Sequence, residues 1–255
     1  MRMSHEELAC NAILYTYPGG EFDIIATTGA WIPEGWEDSG KWGRETPAPT
    51  PREKGKRSEG EDKQRSCRRA RAQLRRLALS NNFQYFVTLT LDQTRIDRYD
   101  GAAIVKALNQ WCDNMVRRKG LRYVLVPERH KDGAFHFHGF FAGEGLEVVD
   151  SGHVDKSGHP VYNLPQWSLG FSTAIGLYGT YSQAVGYCCK YIGKQDGERP
   201  LGRWYYSGGG LAKPAKEYAV MDYRGLKEDF AGSAVELDIP GSKILVINNQ
   251  SAIAD

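Results

Sequence analysis

His136 and His138 stand two residues apart in Ala134-Phe-His-Phe-His-Gly-Phe-Phe141. On a β-strand that spacing sends both imidazoles to one face, because successive side chains alternate sides. The other face then carries Phe135, Phe137 and Phe141, rings suited to a core. Neutral imidazole is a common metal ligand, so the pair is a candidate half of a cation site. A second stretch, Tyr181 to Lys194, has helical spacing. At about 100° per residue, Tyr187, Lys190, Tyr191 and Lys194 fall in one arc, and Val185, Cys188, Cys189 and Ile192 take the opposite side. A phenol is a nucleophile for covalent catalysis, and an ammonium group beside it offsets developing negative charge. The plain alternative is a surface helix whose Tyr and Lys side chains lie flat with wet tips.

These two stretches need elements to hold them. Arg122 to Arg129 reads as a strand leading through Lys131-Asp132-Gly133 into the histidine strand. A three-residue loop with glycine in the left-handed position sets Glu128 opposite His136 and adds a carboxylate to the two imidazoles. A two-residue Asp-Gly turn would put Arg129 there instead; the first register is favoured. Phe83 to Leu91 reads as a near-continuous apolar strand in the middle of a sheet. Asp100 to Lys119 reads as an amphipathic helix with Ile104, Leu108, Trp111 and Met115 on one face, stopping at Gly120.

Elsewhere the signals are plainer. Asn11 to Trp31 reads as a hairpin around Pro18-Gly19-Gly20, and Trp36 to Gly60, rich in Pro, Gly and charge, as a linker. Glu61 to Ser80 reads as a helix stopped by Asn81-Asn82. Gly145 to Leu164 is a polar excursion pairing Glu147 to Val149 with Val161 and Tyr162, in which His153 and His159 read as solvated loop residues. Trp167 to Ile175 is a further strand. Arg203 to Tyr206, Tyr218 to Asp222 and Lys243 to Asn248 read as short strands, Ser207 to Gly210 as a loop, and Ser251 to Asp255 as a frayed end. The chain therefore divides into an N-terminal hairpin and linker (1–60), a central domain with a leading basic helix (61–215) and a C-terminal extension (216–255). The fold class expected is α+β, a central antiparallel sheet with flanking helices.

The formal net charge of +2 announces no polyanion partner, but its distribution does. Between Arg52 and Arg76 eleven Lys or Arg face four Asp or Glu, and Arg68, Arg69, Arg71, Arg75 and Arg76 become candidate contacts to nucleic-acid phosphates. The five cysteines form no CxxC pair, which fits reduced thiols. No apolar run reaches membrane-spanning length and Met1 to Asn11 lacks the regions of a signal peptide, so a cytoplasmic protein without membrane association is expected.

Taken in order, Phe86-Val-Thr-Leu-Thr90, His136-Phe-His138-Gly139 and Tyr187-x-x-Lys190-Tyr191-x-x-Lys194 resemble the three motifs of the HUH endonucleases, most closely the rolling-circle replication initiators of phages and small plasmids. The resemblance spans about Phe83 to Lys194. It implies an antiparallel sheet with the histidine strand central and the tyrosine helix alongside. It further implies Mg²⁺ or Mn²⁺ held by His136, His138 and Glu128, and a tyrosine that attacks single-stranded origin DNA to leave a 3′-hydroxyl and a 5′-phosphotyrosine link. Tyr187 is the first choice of nucleophile and Tyr191 the second, with Lys190 and Lys194 as charge partners. No Gly-x-x-x-x-Gly-Lys-Ser/Thr motif is present, so unwinding would fall to a host helicase and extension to a DNA polymerase, in a bacterial host cell. The alternatives are a transposase or mobilisation relaxase, or a non-catalytic single-stranded DNA or origin-binding protein of the same fold.

Overall fold

A computed structural model describes residues 10–31, 59–177, 181–194, 199–239 and 241–249. The expected linker and the C-terminal end fall almost wholly outside the described residues. The fold is α+β, built on two antiparallel sheets, and divides into two compact units: 57–213, and a second made of 1–56 with 214–255.

The central unit is a seven-stranded sheet in the order β6-β7-β8-β3-β5-β4-β9. Its strands are β3 (Tyr85–Leu91), β4 (Arg122–Arg129), β5 (Phe135–Ala142), β6 (Val149–Val154), β7 (Pro160–Asn163), β8 (Gly170–Gly176) and β9 (Tyr206–Gly208). Alternation assigns the faces. Val87, Leu89, Leu91, Leu125, Phe135, Phe137 and Phe141 are buried against α2 (Gly101–Lys119), which presents Ile104, Leu108, Trp111, Cys112 and Met115. That helix is capped as its sequence dictates: the Asp100 carboxylate accepts from the amides of Ala102 and Ala103, and Gly120 closes it at φ 62°.

Gly139 has a packing reason of its own. A Cβ there would lie 1.9 Å from the Val124 carbonyl oxygen of the neighbouring strand, so only glycine lets β5 approach β4 at this point.

The opposite face of the sheet carries the histidines. Helix α3 (Tyr181–Tyr191) contacts β4 and β5, and α1 (Glu59–Leu79) packs against α3 in turn. Asn81 ends α1 by donating to the Leu77 carbonyl at 2.7 Å. Tyr181 donates to the carbonyls of Ala78 and Asn81, at 2.6 and 2.8 Å, and fixes the start of α3.

The second unit is a five-stranded sheet, β10-β1-β2-β12-β11. Its strands are β1 (Cys10–Thr16), β2 (Phe22–Trp31), β10 (Ala215–Ala219), β11 (Ala234–Ile239) and β12 (Ser242–Asn249), with α4 (Tyr223–Asp229) against it. The hairpin expected at the N-terminus is present, but both of its outer edges are paired by the C-terminal segment: Ala12 faces Ala219 and Ile25 faces Val246. Local patterning shows that a strand needs neighbours and cannot say which, so this pairing was not foreseen. Nor were α4 and β11.

Several boundaries also differ. Tyr218 to Asp222 is not one strand, since Asp222 caps α4 by accepting from the Arg224 amide. The strand expected from Trp167 begins at Gly170, and the buried Trp167 instead donates its indole N–H to the Thr90 carbonyl at 3.2 Å. His153 lies in β6, opposite Val161, rather than in a loop.

Candidate metal centre and tyrosine cluster

The Lys131-Asp132-Gly133 turn takes the three-residue form. The His130 amide donates to the Ala134 carbonyl at 2.7 Å, Gly133 sits at φ 89°, and Glu128 pairs with His136. Arg98 braces the loop through the Asp132 carboxylate. The register is therefore the one that brings a carboxylate over the imidazoles.

Three candidate ligand atoms converge. His136 Nε2 lies 2.8 Å and His138 Nε2 3.0 Å from Glu128 Oε2, and the two Nε2 atoms are 2.9 Å apart. Adjacent vertices of an octahedron are √2 times the metal–ligand distance apart, about 3.0 Å for ligands at about 2.1 Å. The triangle of donors therefore matches one face of such an octahedron and leaves the opposite face open, as a two-His-one-carboxylate set does. The Thr88 hydroxyl, 3.1 Å from His138 Nδ1, can accept that nitrogen's proton and so turn the Nε2 lone pair toward the cation position.

The electrostatics suit the task. Burial, and then the neighbouring His136, pull His138 down to about 4 from an ordinary 6.5, with Glu128 opposing them. Burial likewise lowers His136, and Glu128 again resists. Both rings are neutral near pH 7 and free to donate lone pairs. Burial pushes the Glu128 carboxyl up, but hydrogen bonds from Lys194 and His136 outweigh it, so its carboxyl sits below the usual range and is ionised.

The tyrosines meet this centre directly. The Tyr191 ring stacks on His138 with centroids 4.0 Å apart. Its hydroxyl donates to the Tyr187 hydroxyl at 2.6 Å. Burial, then that hydrogen bond, raises the Tyr191 phenol above its usual range, so it holds its proton. Tyr187, half exposed at 51 %, packs edge-on against Phe86. Phe86 in turn lies parallel to His138 at 6.2 Å.

Lys194 reaches the centre by a route the sequence reading did not anticipate. The helix stops at Tyr191, and Gly193 follows in the left-handed region at φ 76°, so Lys194 lies beyond the helical stripe. Its ammonium group donates to Glu128 Oε1 at 2.6 Å and sits 5.0 Å from the Tyr191 ring centroid. Lys190, exposed on α3, takes part in none of the cluster's hydrogen bonds among the described residues.

Of the arginines, Arg68 and Arg69 are exposed on α1. Arg71 is committed elsewhere: Nε and Nη2 donate to the Ile192 carbonyl at 2.9 and 2.7 Å, capping the tyrosine helix where its dipole is negative. Arg75 and Arg76 are half-buried. His153 and His159 stand apart from the triad, His159 being engaged with Asp155 at 3.3 Å.

Sequence reasoning missed Thr88, Phe86 and His130, whose ring packs against His136 at 4.5 Å. Thr88 and Phe86 lie inside the motif from Phe86 to Thr90, and only cross-strand pairing shows that they face the histidines.

Residues 84–196 match the profile of a family described as replication-associated protein ORF2. Comparison with curated proteins and with solved structures found no match.

Proposed function

Residues 84–196 belong to the replication-associated protein ORF2 family, a rolling-circle Rep family, and on that premise we propose that this chain initiates replication by nicking single-stranded origin DNA through a covalent phosphotyrosine. The observation that carries the reading is the 2.6 Å contact between two tyrosine hydroxyls on a helix whose second tyrosine stacks on a histidine of the triad.

In this mechanism Tyr187 Oη attacks the phosphorus of a phosphodiester. The bond Oη–P forms and the bond from phosphorus to the 3′ oxygen breaks. The phenol proton passes to solvent, to which half-exposed Tyr187 is open, and the leaving 3′ oxyanion takes a proton from solvent to give a 3′-hydroxyl primer. Tyr191, which keeps its proton, donates a hydrogen bond to the attacking oxygen and stabilises it as negative charge develops. Its own chance to attack comes on strand transfer, when Tyr187 is occupied. Lys194 holds Glu128 ionised and lends positive charge beside Tyr191. His136, His138 and Glu128 would hold Mg²⁺ or Mn²⁺, which when bound would act as a Lewis acid toward a non-bridging phosphate oxygen. Thr88 keeps His138 oriented for that role. The partners this implies are single-stranded origin DNA, a host helicase and a polymerase, in the cytoplasm of a bacterial host.

The test is incubation with single-stranded origin DNA and Mn²⁺ or Mg²⁺. An adduct that survives SDS is expected from the native chain and none from Tyr187→Phe/Tyr191→Phe. His136→Ala/His138→Ala should lose cleavage while keeping most DNA binding; cleavage at the native rate would remove the cation from the mechanism.

A further inference from the structure

The face of the sheet that carries the triad does not end at it. Strand pairing places Glu128, His136, Thr90 and Phe171 in one row across β4, β5, β3 and β8. The next row is Val126, His138, Thr88 and Thr173. Helix α3 contacts β4 and β5, whereas Thr90, Phe171 and Thr173 are exposed on β3 and β8. Phe171 is 67 % exposed, although the strand that bears it has hydroxyl-bearing Thr173 as its other exposed residue.

A single exposed phenylalanine is ordinary in itself. This one is distinguished by its place in the ligand row, two strands from His136 or about 10 Å at the usual interstrand spacing, with its ring in contact with no other aromatic ring among the described residues.

We propose that Phe171 is a base-stacking platform for single-stranded DNA, holding a base within one or two nucleotides of the phosphate that Tyr187 attacks, with the Thr90 and Thr173 hydroxyls beside it for the sugar-phosphate backbone. This inference rests on the nicking reading above and assigns its substrate a path: outward from the triad across β3 and β8. A flat ring on a rigid strand accepts any base, because every base has a π-face, and it imposes position rather than sequence.

The experiment uses the full chain as Tyr187→Phe/Tyr191→Phe, so that binding is read without cleavage, and a fluorescein-labelled single-stranded oligodeoxynucleotide of mixed sequence followed by anisotropy. Adding Phe171→Ala should weaken binding about fivefold or more. Phe171→Trp should restore it, and Phe171→Leu, apolar but unable to stack, should not. Photocrosslinking of the native chain to 5-iodouracil DNA should label Phe171 and give the same answer should a variant misfold.

Binding by Phe171→Ala or Phe171→Leu within twofold of the parent, or a crosslink that avoids β8, overturns the platform. A parent that binds and loses affinity with Phe171→Ala, while the chain with its tyrosines restored forms no adduct on single-stranded origin DNA, would uphold Phe171 as a stacking platform and sink the nicking reading. A parent that does not bind the oligonucleotide overturns the platform, and the adduct assay on origin DNA judges the nicking reading separately.

Discussion

At the scale of single residues, the two tyrosines are made unequal by one hydrogen bond. Tyr191 donates and Tyr187 accepts, so negative charge is better tolerated on Tyr187. Tyr187→Phe is expected to abolish the first adduct, whereas Tyr191→Phe should slow it about 10- to 100-fold, the worth of one hydrogen bond to a charged oxygen. Rapid-quench measurement of adduct formation with each single variant separates the roles; equal losses would contradict them.

The histidines make a second prediction. In metal-free protein the unfolded chain takes up protons near pH 6.5, while folded His138 waits until about 4. Stability is therefore full above the ordinary histidine value and is lost as pH falls through that window, at roughly 1.4 kcal/mol per pH unit for one such group. The lowered carboxyl of Glu128 adds a further loss only below its ordinary 4.5. Melting of chelator-treated protein between pH 7 and 4.5 should show a falling Tm, and His138→Asn should flatten the slope.

At the scale of elements, the tyrosine helix is held at both ends by α1 and the residues just after it. Tyr181 is anchored on the carbonyls that close α1, and Ile192 is capped by Arg71 with the Cys67 thiol 3.6 Å away. Losing the Arg71 cap should cost about 1 kcal/mol, which is a fall in Tm of about 2–4 °C for a chain of this size. Because the cap sets where Tyr191 and Lys194 lie, Arg71→Ala should also slow cleavage more than an exposed neighbour such as Arg68→Ala does. Gly193→Ala should be worse: its left-handed backbone disfavours a side chain, and a Cβ would lie 2.2 Å from the Cys67 sulfur. Thermal melts and adduct yields for the three variants order them. The basic helix α1 therefore has a structural duty that charge counting could not reveal, since the same guanidinium can meet a phosphate or a carbonyl.

At the scale of the whole molecule, the smaller sheet is assembled from both ends of the sequence, with the central unit lying between them along the chain. Strands β1 and β2 form a hairpin, which alone is marginal in water. They gain β10 and β12 only from residues 214–255. A chain cut after Lys213 should leave β1–β2 open to protease, while residues 57–213, which hold every member of the triad and both tyrosines, should fold and form the adduct. Limited proteolysis with mass mapping checks the first expectation and an SDS gel the second. No helix of the described residues is long and apolar enough to cross a membrane.

What the sequence determined by itself was whatever depends on neighbours along the chain. The alternation of Phe135 to Phe141 declared a two-faced strand, Asp100 and Gly120 declared the ends of a helix, and the Lys-Asp-Gly turn declared a register that delivered Glu128. The order of the three motifs declared the resemblance that the family match over residues 84–196 supports. Tertiary structure alone decided what depends on distant pairings: that Thr88 orients His138, that Lys194 leaves the helix to bind Glu128, that Arg71 serves a carbonyl, and that Phe171 shares a row with the triad. Thr88 and His138 are 50 positions apart, Glu128 and Lys194 are 66, and Arg71 and Ile192 are 121. Local periodicity carries no information about which distant strand or carbonyl will lie opposite, because that is set by how whole elements pack.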